Sequence, residues 1–291
     1  WQSLMQSAPT TVAQWQARLA QSPCVGLLAP GGTPSARQVL VIDGPTQAPL
    51  LYWQRYWRYE HNVVQGLLAR AAQRREVDQS QAAPLLSALF GGPASAQTDW
   101  QRMACALALR AGLTLITGGP GTGKTYTAAR VLALLAALPA AHGDLPRMAL
   151  AAPTGRAAAR LLLSIEHALA PLQSAVGARL DLRALVERMG PAKTLHALLG
   201  LDPQTRRPRH HAGQPLPVDV LIVDETSMVH VEMMAYLLDA LPPHAQLILL
   251  GDKDQLASVE AGAVMGDLCR TAPWARYDDD TRAYLQTMTG Q

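Results

Sequence analysis

Lysine is nearly missing from this 291-residue chain. Among 25 basic residues only Lys124, Lys193 and Lys253 are lysine. GC-rich coding is the usual cause of such a bias toward arginine, so no functional meaning is drawn from it, but it makes Lys124 conspicuous. Cysteine is also scarce. Cys24, Cys105 and Cys269 are widely spaced and odd in number, which fits reduced thiols in a cytoplasm better than a disulfide framework or a zinc site. No uninterrupted apolar run approaches the roughly 18 residues of a membrane span, and no charged-then-apolar leader opens the chain. Internal repeats and low-complexity tracts are lacking too. The net charge of +3 is too mild to declare a nucleic-acid partner by itself. With 49% hydrophobic residues, the chain has core enough for about two domains.

The most informative segment runs from Gly118 to Thr125, Gly-Gly-Pro-Gly-Thr-Gly-Lys-Thr, directly after the apolar run Leu113–Thr117. A strand that enters a glycine turn and then a helix is the setting a phosphate-binding loop requires. Gly118, Gly121 and Gly123 let the backbone fold tightly, so that its N–H groups line a nest for phosphate. Gly119, Pro120, Thr122 and Tyr126 complete the segment, and the helix starting near Lys124 adds its positive dipole end. Lys124 can reach the β- and γ-phosphates, and the Thr125 hydroxyl suits Mg²⁺. The chain is expected to bind a nucleoside triphosphate.

Strand-like segments at 113–117, 148–152, 218–223 and 246–250 alternate with helical ones at 124–138, 155–170 and 231–241. This rhythm predicts a parallel α/β sheet covered by helices on both faces. Strand ends are where such sheets place their ligands, and each one here carries a polar motif. Val218–Glu225 ends in paired carboxylates. Asp224 is placed to hold Mg²⁺ opposite Thr125, and Glu225 to act as general base on an attacking water. After Leu247–Leu250, Gln255 can contact the γ-phosphate or that water. Ala152–Arg160 places Thr154, Gly155 and Arg156 where a loop meets a helix, a geometry suited to gripping nucleic-acid phosphate. Gln101, just upstream of the first strand, has an amide able to read the adenine edge.

Other segments are less decisive. Leu51–Glu60 repeats Tyr52, Tyr56 and Tyr59 at helical spacing, with Trp53, Trp57, Arg55 and Arg58 interleaved. It fits a helix packing aromatics into a small core, a partner-docking surface, or a platform for single-stranded bases, though no basic groove accompanies it. Leu172–Pro217 breaks the α/β rhythm and carries the basic run Arg206–His211, which fits a solvated loop or a contact to DNA phosphate or a partner subunit. Asp278–Asp280 reads as a turn before a helix at Thr281.

The motifs in this order resemble superfamily 1 helicases that move 5′ to 3′, and among them the RecD family, alpha subunits of exodeoxyribonuclease V. Gly118–Thr125, Ala152–Arg156, Thr194–His196, Val223–Met228, Gly251–Gly262 and Arg209–Gly213 carry the resemblance, with a weaker likeness at Tyr52–Glu60. It implies a RecA-like P-loop NTPase fold using ATP and Mg²⁺, with Lys124, Thr125, Asp224, Glu225 and Gln255 as the ATPase centre. Gln101 would read adenine, and Thr154, His196 and Ser258 would lie along the single-stranded DNA path. The implied partners are RecB-like and RecC-like subunits and DNA with a 5′ single strand, in a complex that repairs double-strand ends.

Such helicases place ATP between two RecA-like lobes, the second of which supplies arginines. No second α/β series follows Gln255 here. The expected division is therefore a small, mainly helical, partner-docking domain over 1–93, joined by the Gly91–Ser95 linker to a first motor lobe over 94–291, with an insertion near 172–217. These 291 residues alone are expected to bind ATP poorly and to unwind nothing. No cluster of acids with a lysine suggests a nuclease. Two alternatives remain at this point, a stand-alone RecD-like helicase and a structural or regulatory ATP-binding subunit; the full set of hydrolytic residues argues against the second.

Overall fold

The computed structural model describes residues 9–29, 31–45, 47–92, 98–138, 145–255, 262, 264–270 and 277–290. They form two compact units that divide between Asn62 and Val63, well before the linker expected at Gly91–Ser95. Part of that linker, 93–95, lies outside the described residues.

The first unit contains a small sheet as well as helices. Helix α1 (Val12–Ala20) is closed by a capping box between Thr11 and Gln14. It is followed by a three-stranded sheet of β1 (Val25–Leu27), β2 (Leu40–Asp43) and β3 (Leu50–Trp53), with β1 parallel and β3 antiparallel to β2. The tyrosine spacing that suggested a helix from Leu51 begins inside β3, where Tyr52 pairs with Val41. Four-residue apolar strands are too short for periodicity to separate them from helix. Helix α2 (Gln54–Ala71) starts immediately afterwards. Its Trp57 is buried, stacks on His61 with centroids 4.9 Å apart, and donates from Nε1 to Asp43 Oδ2 at 2.7 Å. One aromatic of the stretch is thus core, while Trp53 remains 61% exposed.

The second unit is a five-stranded parallel sheet. Its strands are β4 (Leu113–Thr117), β5 (Met148–Ala152), β6 (Lys193–Thr194), β7 (Val220–Val223) and β8 (Gln246–Gly251), in the order β4-β8-β7-β5-β6. β7 and β8 are buried at every residue, as strands covered on both faces must be, and their composition is correspondingly apolar. The chain crosses the sheet in one direction through α5 (Lys124–Ala137) and α6 (Gly155–Leu169). It returns through α10 (Val231–Ala240), so right-handed crossovers put helices on both faces. Leu132, Leu134, Leu161 and Ile165 of α5 and α6 pack with Ile222 and Ile248 in the main core. Between α6 and β7 the chain forms α7 (Gln173–Val176), α8 (Leu182–Met189), β6, α9 (Leu195–Leu199) and an irregular stretch, all within the expected insertion.

Residues expected in the first domain instead close the back of this lobe. Arg70 is buried and donates from Nη2 to Leu241 O at 2.7 Å. Helix α3 (Gln79–Leu89) joins the same core as α4 (Trp100–Arg110) and, beyond α11 (Val264–Arg270), α12 (Asp279–Thr289). Asp278 caps α12 by accepting from Thr281 N at 2.7 Å, as its position before Thr281 suggested. Tyr284 of α12 donates its hydroxyl to Ala106 O at 2.8 Å, and Arg110 lies over its ring at 4.7 Å. Burial pushes that phenol up to about 12. No helix among the described residues is long and apolar enough to cross a membrane.

Candidate nucleotide site and adjoining motifs

The loop Gly118–Gly123 joins β4 to α5. Gly123 has φ +86°, and a Cβ there would sit 2.2 Å from Gln101 Nε2, so both backbone and space demand glycine. Gln101 uses that amide to donate to Thr122 O at 3.0 Å, which fixes it beside the loop. Lys124 Nζ donates to Gly118 O at 2.5 Å and Gly119 O at 2.9 Å. Helix α5 has no capping side chain, whereas α4, α6, α9 and α10 are capped by Asp99, Thr154, Thr194 and His230. Its first N–H groups therefore face the loop with no side-chain acceptor, the arrangement an anion needs.

At the end of β7, Asp224 accepts from the backbone N–H of Glu225. Burial raises its carboxyl above the ordinary range, against the opposing backbone hydrogen bond and the charges of Lys124 and Arg160. A buried acid of this kind is stabilised in its ionised form by a cation. Glu225 has φ +52° and ψ +39°, a left-handed conformation that costs a non-glycine residue about 1 kcal/mol. The next turn is held by Thr226 Oγ1, which donates to Val223 O at 3.1 Å. Ser227 Oγ donates to Gln255 Oε1 at 3.0 Å, reaching the turn after β8. Gly251, at the end of β8, packs closely here: a Cβ there would lie 2.4 Å from Met265 Sδ and 3.3 Å from Ser227 N.

These strand ends open into one cavity of about 1190 Å³. Pro120, Gly121, Thr122, Gly123, Lys124, Thr125, Tyr126, Asp224, Glu225 and Gln255 all line it. The two oxygen donors expected for Mg²⁺, Thr125 and Asp224, are among them. Gly118 and Gly119 sit behind, holding the Lys124 ammonium, and Gln101 is attached through Thr122. Thr154, Arg156 and His196 line the same cavity. They come together because β5 and β6 run parallel, with Ala152 opposite Thr194. Gly155 lies beside Thr194, since a Cβ there would approach its Cγ2 to 4.0 Å. Thr154 Oγ1 accepts from Ala157 N at 3.2 Å, so the hydroxyl also has a local capping duty. Ser258 lies outside the described residues.

Sequence reading missed several lining residues. Arg160 follows Arg156 by four on α6, a spacing that puts both on one helix face and could have revealed it. His230 and Asp252 carry no comparable signal. Among the described residues no group of three histidines, cysteines or acids could hold a metal, so His210 and His211 belong to no such cluster.

The family described as "AAA domain" matches residues 101–261, from Gln101 to beyond Gln255. The chain is similar to the "RecBCD enzyme subunit RecD" of Mycolicibacterium smegmatis, with 48% identity over 87% of this chain and 41% of the relative. It is similar to the protein of that name from Haemophilus influenzae, with 41% identity over 82% of this chain and 37% of the relative. The "ATP-dependent RecD2 DNA helicase" of Deinococcus radiodurans is 40% identical over 60% of this chain and 20% of the relative. The chain thus spans about two fifths of the length of the RecD subunits it matches.

Proposed function

The chain belongs to the RecD family of AAA-domain proteins, and from that membership we propose that it is the first motor lobe and N-terminal region of an ATP-dependent 5′-to-3′ DNA helicase. The full-length protein would act in the cytoplasm with RecB-like and RecC-like subunits on double-strand ends. One observation carries this reading: Lys124, Asp224, Glu225 and Gln255 share a single cavity with Thr154, Arg156 and His196. A motor needs its hydrolytic and strand-gripping groups in mechanical reach of each other, and a purely structural nucleotide site does not.

In this reading the triphosphate of ATP lies on the uncapped start of α5, and Lys124 exchanges its loop carbonyls for phosphate oxygens. Thr125 and Asp224 would hold Mg²⁺, which neutralises phosphate charge when bound. Glu225 accepts the proton of the attacking water, and Gln255 positions that water or the γ-phosphate. Loss of the γ-phosphate is then felt at Gln255 and passed through Ser227 to the turn after β7. Thr154, Gly155, Arg156 and His196 grip the DNA backbone, with Ser258 assigned to the same path by resemblance.

The Deinococcus relative makes a stand-alone helicase the second reading. The subunit reading is favoured by the reach of the match. A match over 87% of the chain is more than residues 63–291 provide, so it must enter the first unit, whereas one over 60% need not. The test uses the full-length protein with its candidate partners and a duplex carrying a 5′ single-stranded tail. Lys124→Gln is expected to abolish ATP-dependent unwinding while the complex still assembles. Undiminished unwinding of that duplex would overturn the motor role.

A further inference from the structure

We propose that Tyr126 is the platform on which the nucleobase stacks, with the Arg130 guanidinium fixed behind its ring. The proposal rests on the reading of Gly118–Thr125 as the triphosphate site and adds what holds the other end of the nucleotide. Tyr126 follows Thr125 directly on α5 and lines the cavity. It is 38% exposed, although Thr127 to Leu134 beyond it on α5 are all buried.

The ring is held in place by its surroundings. Arg130, one turn along α5 and only 7% exposed, has its guanidinium carbon 3.2 Å from the Tyr126 ring centroid. Arg130 is itself fixed, because Nε donates to Leu89 O at 2.9 Å and Nη1 to Tyr126 O at 3.4 Å. Phe90 meets the Tyr126 ring edge-on at 6.1 Å, and Arg130 and Arg102 lie over Phe90 at 5.0 and 5.3 Å. A tyrosine needed only to fill core would not be left this exposed at the lip of the cavity.

Arg130 occupies one face of the ring, so a base stacking on Tyr126 must take the opposite face. The cation draws electron density through the ring, which favours an electron-rich planar partner on the free side. Gly123 links this ring to Gln101: its added Cβ would be 3.8 Å from Tyr126 Cβ and 2.2 Å from Gln101 Nε2. A flat aromatic surface and a hydrogen-bonding amide therefore flank one glycine at the end of the phosphate nest. A purine joined to a triphosphate matches that combination, the face meeting Tyr126 and the edge meeting Gln101.

The experiment compares ATP with inorganic tripolyphosphate, both with Mg²⁺, binding to the full-length protein by calorimetry. Tyr126→Ala is expected to weaken ATP roughly tenfold or more, as loss of base stacking does, and to leave tripolyphosphate unchanged. Tyr126→Phe is expected to keep ATP affinity, since the stacking face remains. Unchanged tripolyphosphate binding also shows that each variant is folded. Equal weakening of both ligands by Tyr126→Ala, no weakening of either, or loss of ATP affinity in Tyr126→Phe would each overturn the platform. Lys124→Gln is read separately: undiminished tripolyphosphate binding there would overturn the triphosphate site instead.

Discussion

Ser227 and Gln255 lie on the turns after two adjacent strands, and the serine hydroxyl donates to the glutamine Oε1 at 3.0 Å. Gln255 is thereby held by the turn that begins at Glu225. Independent movement of the residue proposed to sense the γ-phosphate breaks its hydrogen bond to the turn that carries the proposed base.

Ser227→Ala therefore separates sensing from binding. A neutral hydrogen bond of this kind contributes about 0.5–1.5 kcal/mol, which corresponds to a rate change of roughly two- to tenfold. In the full-length protein, DNA-stimulated ATP hydrolysis is expected to fall by that factor with ATP affinity unchanged. Parallel loss of affinity and rate would place Ser227 in nucleotide binding rather than in the link.

Glu225 gives a second, opposite pair of effects. Its left-handed backbone is one that glycine adopts without strain. Glu225→Gly is expected to raise stability by about 0.5–1 kcal/mol in urea denaturation and to lower ATP hydrolysis at least about a hundredfold. Glu225→Gln keeps the strain and loses the base, so it should lose the same activity with no gain in stability. If the glycine variant is less stable than the parent, the strain assignment is wrong.

The legible parts of the molecule are those where burial and chemistry coincide. Parallel strands covered by helices read as apolar runs, so Leu113–Thr117 and Met148–Ala152 are found at their observed bounds, although β4, at the edge of the sheet, buries only Ile116. The sheet then delivers Lys124, Asp224 and Gln255 to one side because each follows the end of a parallel strand. β6 escaped because Lys193 and Thr194 are two polar residues, defined as strand only by pairing with Ala151 and Ala152. The first unit escaped for a related reason: β2 and β3 are four residues each, too short for their apolar pattern to be told from helix. The roles of Ser227 and Arg130 depend on neighbours that only the fold supplies, 28 residues away at Gln255 and 41 at Leu89.

Gln246 is a structural residue that no motif marks. It is fully buried on β8, and its Nε2 donates to Ala108 O and, at 2.8 Å, to Ala111 O, closing the end of α4. Among the described residues those carbonyls have no other donor once the amide is removed, so Gln246→Leu leaves the buried Ala108 O and the part-buried Ala111 O unsatisfied. The expected loss is about 1–3 kcal/mol in denaturant unfolding. Because α4 carries Gln101, ATP affinity should fall as well, and an unaffected unfolding midpoint would refute the bracing role.

Asp219 ties the N-terminal ends of the parallel strands β5 and β7 together and makes part of the stability pH-dependent. Its carboxylate accepts from Arg147 N, Nε and Nη2 at 2.8, 3.0 and 2.8 Å, and His244 Nε2 lies 3.3 Å from Oδ1. The side-chain hydrogen bond from Arg147 is the largest cause holding its pKa well below the usual carboxylate range; burial opposes it. As pH falls past about 4, the unfolded chain takes up the Asp219 proton before the folded one does. The contribution is thus complete above that value and is lost as acid carries the pH down through the depressed folded value. Arg147 is more than half exposed, so solvent screening limits the effect to about 1 kcal/mol. Asp219→Asn is accordingly expected to be less stable than the parent by that amount at pH 7. The two urea midpoints should converge as the pH is lowered through 4 toward 2. A difference that stays constant across that range would mean that packing at the strand ends, rather than the ionised carboxylate, is what Asp219 provides.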